Sequence, residues 1–545
     1  YGLNKNDITQ VTEQQTRTRN VLVENLLTFD RTFGDHKISV LAGYTYQDSR
    51  YRYMQGSGQG MPTGIKEIDA AAQGLAVSGN SSRSVLTSIL GRAFYSYKNR
   101  YLLTATIRRD GSSKFGSNNR YGNFPSFSVG WNIAEEDFVK NNVSWLDQLK
   151  LRGGYGVLGN QEIDNYQYVS VVTTGINYPD GKSGLIQGAF PKTFANPDIK
   201  WEETAMTNVG IDFMALRNRL TLTADWYVKN TKDILLNVPI PISSGGANDP
   251  IQNAGKIRNQ GFEFNIGWNE SLNKDLSYGV SFLGTYNKNE VIALGEGMQP
   301  IESGTIHGGT YTSRTLAGYP IGGFWLIPTD GYFNSAEEVQ AYQKDGVLIQ
   351  PSAEPGDIRF KDTNNDGTIN DDDRVYSGSP FPKFTYSING NITYKNVDFS
   401  IGFQGVAGNK IYNATRLELT DVTRGTNYLA STLDYWTPEN HNASQPRLIW
   451  TDPNRNARSE SDRYLENGSY FRLRNLQVGY TLPAAWFHGF VQKARVYVNA
   501  ENLFTITSYS GYTPDVNSSN VYSRGFDEFI YPSNRTFMLG LNVTF

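Results

Sequence analysis

The stretch "DTNNDGTINDDD" gathers oxygen ligands at a spacing that could do chemistry. Asp362, Asn364 and Asp366 stand at positions 1, 3 and 5 of a loop, with Gly367 at 6, Thr368 at 7 and Asp373 at 12. A calcium-binding loop uses this order: side-chain oxygens at 1, 3 and 5, a tight turn at 6, a carbonyl at 7 and a carboxylate at 12. Calcium is a hard ion that takes about six to eight oxygens, so a short acidic turn can wrap it. Asp at position 12 is shorter than the usual Glu, and no two clear helices flank the loop. The expectation is therefore a structural Ca2+ site at Asp362, Asn364, Asp366, Thr368 and Asp373 rather than a sensor. The same residues would also make an acidic turn held by Asx hydrogen bonds.

Other chemistries find little support. The chain has no cysteine, which removes disulfides, zinc ribbons and thiol catalysis. Its four histidines, His36, His307, His441 and His488, lie far apart and outside any HExxH spacing. "RRDGSSKFG" (108–116) lacks the GxxxxGK[ST] spacing of a phosphate loop and reads as a loop just beyond a strand. No Ser-His-Asp set or carboxylate pair stands out. The chain reads as a non-enzyme with no organic cofactor. A net charge of -3 also argues against nucleic-acid binding.

The elements that carry these stretches are strands. "RTFMLGLNVTF" puts Phe537, Leu539, Leu541, Val543 and Phe545 on one face and small or polar residues on the other. "KFTYSINGNITYK" alternates in the same way, turns at Lys395–Asn396, and returns through Val397, Phe399, Ile401 and Phe403. Similar runs number about fifteen, many longer than the strands of soluble proteins. Short connections near 33–36, 98–100, 217–219, 273–275 and 395–396 alternate with long ones at 51–81, 160–201, 232–256, 291–379, 409–468 and 504–534. Outer-membrane β-barrels sort their turns and loops in this way, and soluble sandwiches do not. Aromatics at 13% with low mean hydropathy fit a barrel with a wet interior and aromatic belts. Trp131, Trp201, Trp226 and Trp268 are expected in such belts. No apolar run approaches the length of a transmembrane helix. Within the loop 291–379, Ser335 and Glu338 form a capping box that starts a short helix ended by Gly346, so this loop should be folded.

Longer stretches carry a family resemblance. "RDGSSKFGSNNRYGNFPSFSVGWNIAEEDF" (109–138), "NPDIKWEET" (196–204), the run 355–413, "YLENGSYFRLRNLQVGYTLP" (464–483) and "VYVNAENLFTITSYSGYTPD" (496–515) resemble SusC/RagA-type TonB-dependent transporters of Bacteroidetes. Residues 1–545 then correspond to the C-terminal portion of such a barrel: all-β, transmembrane, antiparallel, with about 15 strands of a plugged barrel of about 22. The resemblance implies active import of oligosaccharides or peptides across the bacterial outer membrane. It implies a SusD-like lid lipoprotein, TonB acting through a plug, and an N-terminal plug and barrel portion as partners, with outer-membrane lipid around the strands. An odd strand count and Tyr1 in place of Met lead to the expectation of a processed product or fragment whose missing strands precede residue 1. The loops 291–379 and 409–468 are candidates for lid contact, and Trp325, Tyr332 and Trp436 for ligand or lid contact. Phe545 resembles the terminal aromatic of the outer-membrane assembly signal. A scaffold or secretion-associated barrel that does not import is the alternative. A soluble calcium-binding enzyme or lectin fits the loop alternation poorly.

Overall fold

The computed structural model describes residues 8–545 apart from 63, 171, 180, 182–183, 192–193, 239–249, 296, 307–309, 488–489, 517 and 519. His307, His488 and the middle of the 232–256 connection lie outside the described residues. Fifteen long strands form one sheet in chain order. They are β1 (Gln10–Phe33), β2 (His36–Gln59), β3 (Gln73–Tyr97), β4 (Tyr101–Ser112), β5 (Tyr121–Asn132), β6 (Leu146–Asn160), β7 (Glu202–Ala215), β8 (Leu220–Lys232), β9 (Lys256–Ser271), β10 (Leu276–Ala293), β11 (Phe384–Tyr394), β12 (Val397–Ala407), β13 (Tyr470–Leu482), β14 (Lys493–Thr507) and β15 (Thr536–Thr544). The strand number agrees with the alternation in the sequence. Two compact units can be distinguished: 1–132 with 152–207 and 230–255, and 133–151 with 208–229 and 256–545.

In the first unit, β1 to β5 pair antiparallel with their neighbours. The register turns the alternation into rows. Phe33, His36, Tyr97, Tyr101 and Trp131 make one row across the five strands. On the same face follow Phe29–Val40–Ala93–Ala105–Phe127 and Leu27–Ala42–Gly91–Ile107–Pro125, then a row with Val23, Tyr46 and Tyr121. Leu27, Phe29, Val40, Ile107 and Phe127 are exposed, although a soluble core would hide them. The opposite face carries Ser39, Thr104, Thr106, Ser126 and Ser128. From His36 to Tyr46 the chain climbs about 34 Å along the strand, or about 26 Å upright after the usual tilt. That is the height of the apolar band of a membrane barrel, with an aromatic girdle at each edge.

The tryptophans divide. Trp131 and Trp226 are exposed on their strands, as a belt requires. Trp201 is not a belt residue: it is 5% exposed, and its ring packs against Phe115 at 5.1 Å and Phe124 at 5.3 Å. Its indole N–H donates to the Arg120 carbonyl at 3.2 Å. Ile163 and Ile199 complete this core, which the loops build beyond the strands.

In the second unit, β9 to β15 pair antiparallel in order. Its apolar face includes Ile266, Phe282, Ile388 and Phe403, matched across successive strands. Phe403 and Tyr386 each stack on Phe471, with centroids 5.1 and 6.2 Å apart. Beyond these strands the loops 291–379 and 409–468 are folded, each with buried side chains of its own.

The row assignment makes a test. Val40→Arg, in the middle of the apolar band, should cost about 2–4 kcal/mol of stability, while Thr106→Arg on the opposite face should cost far less. Denaturant unfolding of the protein in liposomes measures both, and equal costs would mean that the Val40 face does not meet lipid.

Candidate functional site

The loop layer of the second unit is built like a small soluble domain. Ile301–Ser303, Ser313–Thr315, Gly323–Leu326 and Val375–Gly378 form a four-stranded sheet. Lys410–Asn413 lies between Leu465–Asn467, antiparallel, and Phe526–Asp527, parallel. The chain then enters the helix Ala414–Thr420, whose first turn is capped by Asn413: its side-chain oxygen accepts from the Arg416 N–H at 2.8 Å. Phe324, Leu326, Tyr412, Leu417, Tyr464 and Phe526 form the core between these pieces. The Tyr412 ring stacks on Phe526 at 5.3 Å, and its hydroxyl donates to the Ser459 carbonyl at 2.6 Å. Burial pushes the Tyr412 and Tyr464 phenols above their ordinary range, so both stay neutral.

A buried polar network joins the two loops. Asp357 is fully buried. Its carboxylate accepts from Arg447 Nε at 2.6 Å and Nη2 at 3.0 Å, from Asn456 Nδ2 at 2.8 Å and from the Glu354 N–H at 2.9 Å. Four donors around one carboxylate offset much of the cost of removing it from water. The bond to Asp357 holds the Arg447 guanidinium above its ordinary range. Gln350 extends the network, donating to the Ile358 carbonyl at 3.0 Å and to Asn454 at 2.8 Å, and accepting from the Phe360 N–H at 2.8 Å. Gly356 beside it has φ +92°, and a Cβ there would collide with Trp436. Sequence reading missed this network. Asp357 and Arg447 are ninety residues apart and belong to no spaced motif.

The residues singled out from sequence fall in different places. In the acidic loop, Asp362 accepts from the backbone N–H groups of Asp366 at 3.1 Å and Gly367 at 2.8 Å. Asn364 accepts from Asp366 N–H at 2.9 Å, and Asp366 accepts from Thr368 N–H at 2.8 Å and Thr368 Oγ1 at 2.9 Å. Asn364 Nδ2 also donates to Asp366 Oδ2 at 3.0 Å, and this bond, with those from Thr368, holds the exposed Asp366 carboxyl at about 2. Its contribution is present above the ordinary carboxylate range and is lost only as pH falls through about 2. Asp373, fully buried, accepts from Thr363 N–H and Asn370 N–H, each at 2.8 Å. Among the described residues no three His, Asp or Glu side chains converge as a metal-holding group.

Trp436 is 7% exposed, stacked on His441 at 5.4 Å, with its indole N–H donated to Asn334 at 3.1 Å. Tyr332 packs on the cluster of Ile327, Ile358 and Phe360, and burial raises its phenol. Trp325 belongs to a separate aromatic group, 4.8 Å from Tyr319 and 6.0 Å from Tyr376, and its indole N–H has no partner. Phe545 is exposed and meets Phe490 edge-on at 6.1 Å.

None of these aromatics lines a cavity that opens in the loop layer of this unit. That cavity holds about 510 Å³. Asn413, Arg416, Leu429, Gln445, Ser510 and Tyr512 are among its walls. Tyr512 is 73% exposed and presents an open ring. Arg416 is paired with Glu466 at 3.3 Å, so the wall offers amides, hydroxyls and a ring with little net charge. Such a surface suits a neutral polar ligand.

Comparison with known proteins completes the picture. Residues 1–503 match the family model described as TonB dependent receptor-like, beta-barrel. TonB-dependent receptor P3 of Formosa agariphila is 32% identical over 548 residues, covering 98% of this chain and 53% of that protein. TonB-dependent receptor SusC of Bacteroides thetaiotaomicron is 31% identical over 479 residues, covering 85% of this chain and 44% of that protein. The chain thus spans about half the length of the curated relatives it matches. Among solved structures, the RagAB peptide importer in its closed-closed state superposes with a TM-score of 0.81 at 25% identity, over 98% of this chain and 56% of that one.

The loop network makes its own prediction. Arg447→Ala leaves Asp357 buried without its cation and should cost about 3–5 kcal/mol of loop-layer stability. Hydrogen exchange should then rise together in 350–360 and 445–458, and a rise confined to one segment would show that the network does not couple the loops.

Proposed function

This chain belongs to the TonB-dependent receptor-like β-barrel family, and from that premise we propose that it is the barrel of a SusC/RagA-type nutrient importer. The family consists of outer-membrane transporters rather than enzymes, and the chain's place is the outer membrane. The substrate class proposed is oligosaccharides or peptides. A SusD-like lipoprotein would deliver them over the folded loops 291–379 and 409–468, and TonB would drive release through a plug inside the barrel. No bond is made or broken in this scheme. Binding selects one arrangement of loops and plug, and TonB shifts the balance toward release.

The observation that carries the reading is the likeness to the RagAB peptide importer across nearly the whole chain. The loop layer supports it, because a delivered ligand needs a surface that is already ordered. The cavity beside Tyr512 is the proposed contact for it. Removing the gene for the full protein should abolish uptake of labelled oligosaccharides or of labelled oligopeptides, and a protonophore should do the same in the parent strain. A lipoprotein should co-purify with the full protein. Unchanged uptake of both substrate classes after deletion would overturn the importer reading.

The acidic loop is proposed to hold Ca2+ in a structural role. Asp362, Asn364 and Asp366 and the Thr368 carbonyl are the oxygens best placed by sequence order, while Asp373 serves backbone amides. The residues fit a weak site, since the hydrogen bonds already define the turn. Calcium at about millimolar levels should slow proteolysis within 355–378 relative to a chelator. Equal cleavage in both conditions would leave the turn supported by its hydrogen bonds alone.

A further inference from the structure

The first unit carries a basic patch on its first three strands. β1 and β2 place Arg19 directly opposite Arg50, and Arg17 opposite Arg52. β2 and β3 place Arg50 directly opposite Arg83. Arg19, Arg50 and Arg83 therefore form one row across three neighbouring strands, and Arg17 and Arg52 form the next. All five are exposed. Like charges directly opposite one another destabilise a sheet, so this arrangement is costly without a counter-anion.

The chain supplies little of one. Asp48 accepts from Arg50 Nη2 and from Arg83 Nε, each at 3.0 Å, and is itself buried beneath them. Among the described residues no carboxylate pairs with Arg17, Arg19 or Arg52. The next acidic residue outward on this face of β1 is Glu13, two rows beyond Arg17.

The position of the patch identifies what would neutralise it. Residues two apart on a strand share a face, so Arg19, Arg50 and Arg83 lie on the face of Phe29, Val40 and Ala93. Between the arginine row and the tyrosine-bearing row of Val23, Tyr46 and Thr87 there is one row, Val21, Asp48 and Val85. The arginines thus begin about 14 Å along the strand beyond the aromatic girdle, at the depth of lipid headgroups. They lie at the end of β2 that leads into the longer connection 60–72, away from the tight turn at Gly34–Asp35. In a barrel with short periplasmic turns, that is the outer leaflet. Guanidinium groups bind phosphate through two parallel hydrogen bonds, and their stems lie along apolar surface while the heads reach the interface.

We propose that Arg17, Arg19, Arg50, Arg52 and Arg83 form a binding site for a phosphate-bearing lipid headgroup of the outer leaflet. Asp48 offsets part of the charge of Arg50 and Arg83, and Arg17, Arg19 and Arg52 supply the unneutralised charge. The site lies on the outer wall of the barrel and is separate from any ligand path through the loops. The lipid would anchor the extended β1–β3 ends at a fixed height in the membrane.

The experiment uses the full protein in neutral detergent micelles, with monophosphoryl lipid A as probe and native mass spectrometry as readout. Wild type should retain the lipid. Arg19→Gln/Arg50→Gln/Arg83→Gln should weaken retention roughly a hundredfold, from about fivefold per arginine at a membrane surface. The same glycolipid without its phosphate should not be retained, and millimolar inorganic phosphate should not displace the intact lipid. Asp48→Asn should retain it at least as well as wild type. Should the triple variant lose its heat-modifiable mobility on gels, Arg17→Gln and Arg19→Gln, whose side chains hold no acidic partner among the described residues, carry the test at about fivefold each. Equal retention by these variants and wild type, or by the dephosphorylated lipid, would overturn the site. Displacement by inorganic phosphate would overturn the lipid as its ligand.

Discussion

Hydrocarbon offers no partner for a backbone N–H or C=O, and that constraint governs the architecture. Each strand must find its hydrogen bonds in a neighbouring strand. Pairing fixes register, and register with a period of two sends alternate side chains to lipid and to the interior. The rows across β1 to β5 are the direct result: one face runs from Phe33, His36 and Tyr97 through Phe29, Val40 and Ala93 to Tyr46 and Tyr121. The opposite face mixes Ser39, Thr104, Thr106, Ser126 and Ser128 with leucines such as Leu26, Leu41 and Leu90, a mixture open to a face that does not meet lipid.

The loops obey a different rule. Water satisfies their backbone, so order there has to come from burial. The second unit achieves it with an aromatic core around Tyr412 and Phe526 and with a buried carboxylate, Asp357, surrounded by donors. Neither would be stable as an isolated piece. The core draws side chains from segments as distant as Phe324 and Phe526, and Asp357 depends on Arg447 and Asn456 from the neighbouring loop. This cross-dependence lets long connections present a defined cavity beside Tyr512 instead of a mobile fringe.

Much of the membrane part was legible in the sequence. Alternation located fifteen strands, and tight turns such as 395–396 were visible from charge and spacing. Strand ends were less so. β2 runs on to Gln59 and β3 starts at Gln73, beyond the alternating stretches, because outside lipid both faces are polar and the period carries no signal. The loop site was mostly hidden. Trp201 reads as a belt residue until Phe115 and Phe124 close over it, and Asp357 is an ordinary turn aspartate until Arg447 arrives from ninety residues away. The arginine rows were hidden for a related reason: Arg19, Arg50 and Arg83 are separate in sequence and become neighbours only through register.

The short parallel ladder between Tyr412–Asn413 and Phe526–Asp527 also bears on the order of events in assembly. Asp527 accepts from the Tyr509 hydroxyl at 2.5 Å, and its carbonyl accepts from Thr415 Oγ1 at 3.3 Å, so these residues close the side of the loop layer facing Tyr412. More than a hundred residues separate the two halves of that closure, and contacts of such separation form late because a long stretch of chain must first be confined. Until both segments are in place the Tyr412 ring has no Phe526 to stack on, and this side of the loop layer stays open. Closure of this side of the loop layer therefore depends on both segments being in place, with β13 and β14 lying between them in sequence.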